Sequence, residues 1–121
     1  MISDKTRALL QSLQSTSGEP FPVLVEGVSM NPTLWEGDTV LAVRQPDYEP
    51  GDILVFDYGK EGILIHRLLI VAHGLYHMRG DNAVRIERVS LKRIYGKVIS
   101  FADGRDVPAR PENVWQGPAP D

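Results

Sequence analysis

The sequence predicts a mainly β domain, built as a barrel or a sandwich and preceded by one short helix. From Phe21 onward, short runs rich in Val, Ile, Leu, Tyr and Phe alternate with turn residues, and no helical period separates them. Turn-forming sequences occur at residues 36–38, 50–52, 59–62, 73–74 and 80–82. Strands that follow one another at such short intervals are typical of all-β barrels and sandwiches.

The runs between these turns define six expected strands. They lie near residues 21–26, 39–44, 52–58, 62–72, 75–80 and 92–101. The dipeptide His73-Gly74 connects two of them, and a two-residue turn with glycine in second place favours a type I′ hairpin.

Two segments flank this β domain, which we place at residues 19–101. Apolar residues recur at helical spacing between residues 2 and 15, and Gly18 with Pro20 ends the pattern, so an amphipathic helix is expected within residues 1–18. Residues 102–121 contain four prolines and are expected to form an extended tail.

Composition excludes several classes of function. The chain of 121 residues has no cysteine, so a disulfide framework, a thiolate metal site and a cysteine nucleophile are all ruled out. The net charge of -3 is a poor match for nucleic acid, so no nucleic-acid partner is expected. We interpret the local basic run as a solvated strand face; it comprises Arg85, Arg88, Lys92, Arg93 and Lys97.

No apolar stretch approaches the roughly 20 residues that a membrane helix needs. We therefore expect no membrane span and a cytoplasmic protein. Nothing in the sequence calls for a cofactor.

Ser29 is the first residue that could carry chemistry. It follows a strand and precedes a turn that Pro32 helps to start, so it is expected on an exposed corner. A serine in this setting commonly caps a helix, and an exposed corner also suits a nucleophile.

His66 lies within an apolar run and is the second such residue. If the His73-Gly74 turn has two residues, continuous antiparallel pairing places His66 opposite Asp81, with their Cβ atoms roughly 4.5–5.5 Å apart. Asp81 would then orient the imidazole. A core histidine without chemistry is the competing interpretation, and a longer turn would change the pairing.

A metal site is the other alternative for these histidines. His73, His77 and Asp81 are spaced by four residues, which would align them on a helix. Gly74 and Gly80 favour a hairpin instead, so no metal is expected.

Five short motifs occur in one order along residues 24–100, and together they resemble the signal peptidase and LexA-like superfamily of serine peptidases. They are Gly27 to Leu34, Gly37-Asp38, Gly51 to Phe56, His66-Arg67 and Gly80-Asp81-Asn82. Bacterial signal peptidases and LexA-like repressors have lysine at the position of His66. The histidine is similar to that of the archaeal and endoplasmic-reticulum signal peptidases, in which a downstream acidic residue completes the site.

The resemblance implies a serine endopeptidase with Ser29 as nucleophile and His66 as general base. Asp81 and Glu87 are the two candidates for the acidic residue, and the hairpin register favours Asp81. The Ser29 backbone N–H is the expected oxyanion donor, because Gly27 stands where many signal peptidases have a second, serine donor.

The same resemblance implies that the substrate is an extended precursor peptide or preprotein bound as an added β-strand. Residues 21–26 and 54–58 are the candidate edges for it. The chain has no Ala-Gly dipeptide, the LexA-like self-cleavage site. The alternative function is a non-catalytic peptide-binding or dimerisation module of the same fold.

Overall fold

The computed structural model describes residues 18–108 and confirms the mainly β fold. The predicted helix at 2–15 and the tail beyond residue 108 lie outside the described residues. Seven strands are present, with 3₁₀ turns at Gly59–Glu61 and Leu91–Arg93: β1 Phe21–Leu24, β2 Thr39–Val43, β3 Ile53–Asp57, β4 Ile63–Ala72, β5 Leu75–Arg79, β6 Ile86–Val89 and β7 Ile94–Phe101. Six of these strands match the predicted runs to within a few residues.

The strand order is β1-β2-β7-β3-β4-β5-β6, and every neighbouring pair is antiparallel. The last strand of the chain enters the middle of the sheet, between β2 and β3. Because β3 is hydrogen-bonded on both sides, the prediction that residues 54–58 form a substrate-binding edge is wrong. Within the described residues, β1 and β6 are the outer strands.

Both faces of the sheet are covered by apolar side chains, so β4 is buried along most of its length. Ile63 and Ile65 belong to one cluster, while Leu64 and Leu68 belong to the other. Successive side chains of a strand point to opposite faces. His66 therefore shares a face with Leu64, and Arg67 shares the opposite face with Ile65.

The hairpin between β4 and β5 has the predicted two-residue turn, and both central residues have positive φ (54° at His73 and 75° at Gly74), as a type I′ turn requires. Pairing begins as predicted, with Ala72 opposite Leu75. A β-bulge at Leu69 then shifts the register by one residue, so that Leu68 pairs with Met78 and Arg67 with Arg79.

The shift overturns the predicted pairing of His66 with Asp81. Continued by one residue, the observed register places Gly80 opposite His66, and Asp81 moves toward the other face. The prediction assumed an uninterrupted ladder, and the bulge inserts the extra residue that breaks it.

Strand β6 was absent from the predicted strands. It has four residues, two of them charged, and it lies at the sheet edge. Glu87 within it is nevertheless buried, because it is paired with Met78 of β5 and faces the core.

No helix in residues 18–108 has both the length and the apolar character needed to cross a bilayer.

Close backbone packing occurs at Gly96, near the start of β7. A Cβ atom there would lie 2.9 Å from the carbonyl carbon and oxygen of Val43 and 3.1 Å from Cζ of Phe21. Since the first two atoms are backbone, the neighbouring strand would have to move to admit a side chain.

We predict that Gly96→Ala lowers the free energy of unfolding by about 1–3 kcal/mol, the usual effect of overpacking a close contact. Chemical denaturation measures it, with Ile99→Val on the exposed face of the same strand as control. An Ala variant as stable as the wild type would contradict the close approach of β7 to β2.

Candidate active site

The loop that carries Ser29 is fixed on both sides of the serine. Gly27 has a φ of 81°, a conformation that favours glycine, and its N–H donates to Glu36 Oε1 at 3.1 Å. Met30 and Leu34 are buried in the core cluster and are joined by a hydrogen bond from the Leu34 N–H to the Met30 carbonyl. Ser29 is thus displayed, half-buried, at the end of a fixed segment.

His66 is buried, and both of its ring nitrogens have partners. Nε2 lies 3.0 Å from Ser29 Oγ, and Nδ1 lies 2.6 Å from Glu87 Oε1. With the proton on Nδ1, the ring donates to the carboxylate and presents the Nε2 lone pair to the serine hydroxyl. The three side chains therefore form a continuous Ser–His–Glu hydrogen-bond chain.

Glu87 is 1% exposed and holds the inner end of this chain. Its second oxygen, Oε2, accepts a hydrogen bond from Arg85 Nε at 2.9 Å. Glu87, the less favoured of the two predicted acidic residues, is the one in contact with His66.

Asp81 binds elsewhere, which corrects its predicted position beside His66. Its two oxygens accept hydrogen bonds from Nε and Nη2 of Arg67, each at 2.8 Å, and Oδ2 also accepts from Thr33 Oγ1 at 2.5 Å. Arg67 donates further to the Gly51 carbonyl. Since both carboxylate oxygens are occupied in this buried ion pair, Asp81 holds the loop of Thr33 to strand β4.

Residues 80–82 also secure the Ser29 loop directly. The Asn82 N–H donates to the Ser29 carbonyl at 2.8 Å, and its side-chain amide donates to the Val28 carbonyl at 3.1 Å. A Cβ atom on Gly80 would lie 2.5 Å from the Ser29 carbonyl oxygen and 3.1 Å from His66 Nε2. The missing side chain at Gly80 is thus what allows serine and histidine to meet.

An open cleft of about 540 Å³ lies over the three residues. It runs between the Ser29 loop and residues 82–85, and Val28 and Val84 stand exposed on its two sides. A second cavity, of about 10 Å³, lies beside Ser29 and is bounded by Met30 and Leu64.

The three residues considered as metal ligands, His73, His77 and Asp81, do not form a metal site. His73 lies in the hairpin turn, and Asp81 is paired with Arg67. Across residues 18–108, no group of three His, Cys, Asp or Glu side chains has the arrangement of a metal site.

The model of the Peptidase S24-like family matches residues 2–99. The chain belongs to the Peptidase S24-like family. No curated protein and no solved structure gave a match.

Membership of the Peptidase S24-like family supports a function of the serine-peptidase type. The matched residues include Ser29, His66 and Glu87, so the hydrogen-bond chain lies within the region that defines the family.

Sequence reasoning missed three parts of the site in this Peptidase S24-like chain. Arg85 was interpreted as part of a solvated basic face, although the alternation of residues 85 and 87 was a signal that both share one side of a strand. Gly80 and Thr33 lie in two of the recognised motifs, but their roles were not predicted, because those roles depend on contacts with segments distant in the sequence.

We predict that Asp81→Asn destabilises the protein by about 3 kcal/mol, because it leaves the buried Arg67 charge without its partner. Glu61→Gln, which alters an exposed ion pair, is the control and is expected to change stability by less than about 1 kcal/mol. Thermal and denaturant unfolding measure both. Equal stability of Asp81→Asn and the wild type would show that the ion pair does not hold the loop.

Proposed function

We propose that the protein is a serine endopeptidase in which Ser29 is the nucleophile, His66 the general base and Glu87 the residue that orients His66. The observation that carries the proposal is the unbroken chain of hydrogen bonds from Ser29 Oγ through both nitrogens of His66 to Glu87. A nucleophile, a base within hydrogen-bond reach and a third group that orients the base are the parts that acyl transfer requires.

The reaction follows from these contacts. His66 Nε2 accepts the Ser29 hydroxyl proton as Oγ attacks the carbonyl carbon of the scissile peptide bond. The imidazolium, stabilised by Glu87, then donates that proton to the leaving amine nitrogen, and the C–N bond breaks. Water then attacks the resulting acyl-serine ester while the same Nε2 accepts its proton. That proton passes to Ser29 Oγ as the C–O bond of the ester breaks, which releases the second product and restores the serine.

The oxyanion that forms in both steps needs a donor beside Ser29. The Ser29 backbone N–H makes no hydrogen bond to any residue in 18–108, so it is available for this role. A serine at position 27 could add a hydroxyl donor, but the positive φ of Gly27 disfavours any side chain there. We infer that the backbone amide is the principal donor.

An extended peptide is the substrate class that fits this site. Strand β1 is paired only with β2 among the described strands, and the chain leads from its end through residues 25–28 to Ser29. A peptide paired to the outer edge of β1 would therefore run toward the nucleophile. The cavity of about 10 Å³ beside Ser29 admits about one water-sized group, which favours a small residue at the cut.

The Ser–His pairing, in place of Ser–Lys, further supports the archaeal and endoplasmic-reticulum mechanistic type within this superfamily. Residues 19–101 would then constitute the catalytic domain.

The direct test is cleavage of a mixture of denatured proteins. We predict that the wild type generates new N-termini from denatured protein substrates and that Ser29→Ala generates none, while Ser100→Ala on β7 cleaves normally. Terminal-amine mass spectrometry reads the sites. Absence of Ser29-dependent cleavage, combined with retention of bound peptide, would favour the non-catalytic binding module.

A second test concerns the acidic residue. We predict that Glu87→Gln reduces kcat by about 10³–10⁴-fold, the order expected when the orienting carboxylate of such a triad is lost. Asp81→Asn is expected to retain far more of the wild-type kcat at a temperature where it stays folded. The reverse ranking would restore Asp81 as the orienting residue.

The pH dependence tests the base. Because Nε2 must be unprotonated to accept the serine proton, activity is expected to fall on acidification through the range of roughly pH 5–8, in which histidine side chains change charge. Rate profiles of the wild type and His66→Lys measure this. Activity confined to strongly alkaline pH in the wild type would argue against an imidazole base.

A further inference from the structure

Arg85 makes an unusual set of contacts for a side chain that is 53% exposed. Its Nε donates to Glu87 Oε2 at 2.9 Å, and its Nη1 contacts Glu61 Oε1 at 2.8 Å and Oε2 at 3.0 Å. The guanidinium carbon also lies 5.4 Å from the centre of the Tyr58 ring. The guanidinium is therefore fixed on three sides, between the active-site glutamate and the turn at Gly59–Glu61.

Glu87 depends on such a partner because of where it lies. A carboxylate that is 1% exposed has lost its hydration, and an unpaired charge in that position is costly. His66 satisfies only Oε1, and Arg85 supplies a charge-assisted hydrogen bond to Oε2. With both oxygens bound, the carboxylate plane is fixed and Oε1 stays directed at the imidazole.

The shape of arginine suits this bridge. Nε and Nη1 point in different directions from one rigid plane, so one side chain can bond Glu87 and Glu61 at once. Hydrogen bonding to Glu87, followed by that to Glu61, raises the pKa of Arg85 above its ordinary value. A lysine could supply the positive charge but not two fixed bonds in these directions.

We propose that Arg85 is a positioning residue that acts through Glu87 and fixes the orientation and charge of the His66–Glu87 pair. The proposal rests on the proposed function for its catalytic consequence. Arg85 contacts Glu87, Glu61 and Tyr58 and makes no hydrogen bond to Ser29 or His66, so its influence passes through the Glu87 carboxylate.

The charged groups around the pair define the expected pH effect. Glu87 faces His66 from β6, and Glu26 lines the same cleft from the segment after β1. From β3 the ring neighbour is the apolar Phe56, and directly after β5 it is Gly80. Arg67 follows His66 on β4 but bonds Asp81 on the opposite face, whereas Arg85 bonds Glu87 directly.

Removing that cation makes binding of a proton to the pair easier, since a nearby positive charge opposes protonation of either member. In Arg85→Gln we therefore expect the acidic limb of the rate profile to move to higher pH. We also expect kcat to fall by about 10- to 100-fold with little change in KM, as for outer partners of metal-bound histidines. Arg85→Lys keeps the positive charge but not the two fixed hydrogen bonds. It should therefore return the acidic limb of the rate profile to its wild-type pH more fully than it restores kcat.

The matched control is Arg88→Gln. Arg88 is exposed on β6, the strand that begins directly after Arg85. It carries the same charge as Arg85 and lies one residue from Glu87, so its side chain points to the other face. We expect wild-type kcat and an unshifted profile. An equal shift of the acidic limb in the Arg85 and Arg88 variants would show that the shift comes from the change in net charge alone, and it would overturn the proposal.

A measurement without turnover separates this inference from the proposed function. In protein labelled with ¹⁵N-histidine, the ring signals of His66, identified by their loss in His66→Gln, are followed against pH. Their titration midpoint is expected to move to higher pH in Arg85→Gln and to stay in place in Arg88→Gln. An unmoved midpoint in Arg85→Gln would overturn the positioning role, even in an active peptidase. A moved midpoint in a protein that cleaves no peptide would support the role and reject the peptidase.

Discussion

Both oxygens of Asp81 bind Arg67, and the same carboxylate accepts a hydrogen bond from Thr33. This buried pair is the constraint on which the site depends, because it joins the two segments that must meet. Arg67 directly follows His66 on β4, and Thr33 lies four residues after Ser29. Fixing Arg67 against Thr33 therefore fixes the approach of the histidine to the serine, and the hydrogen bonds of Asn82 to the Ser29 loop reinforce it.

Because successive side chains of a β-strand point to opposite faces, neighbouring residues of β4 bind different partners. His66 points to the face that holds Glu87, while Arg67 points to the face that holds Asp81. Two acidic residues close in sequence thus serve different basic partners and do not compete for one. The Arg67–Asp81 ion pair and the His66–Glu87 pair are both buried, and each of the four carboxylate oxygens accepts a hydrogen bond, which is the condition under which burial of charge is tolerated.

Solvent exposure of the side chains increases along the hydrogen-bond chain from Glu87 to Arg85 and Glu61. Glu87 is buried, whereas Arg85 and Glu61 reach solvent at the side of the cleft. The inner contacts lie in a surrounding of low polarity that strengthens them, and the outer pair is weakened by water and salt. The orientation of the imidazole is thus supported from a region that substrate and solvent can reach.

Local sequence determined the β class, six of the strands, the type I′ turn at His73-Gly74 and the segments that display Ser29 and His66. These features follow from alternation, turn chemistry and ordered short motifs, all of which are read within a few residues. The tertiary structure alone decided which of Asp81 and Glu87 lies against His66. The bulge at Leu69 and the burial of the short strand Ile86–Val89 bring Glu87 to the histidine, and both arise from packing between strands. A one-residue shift sends a side chain to the other face of a sheet, and the local pattern of β4 and β5 does not encode that shift.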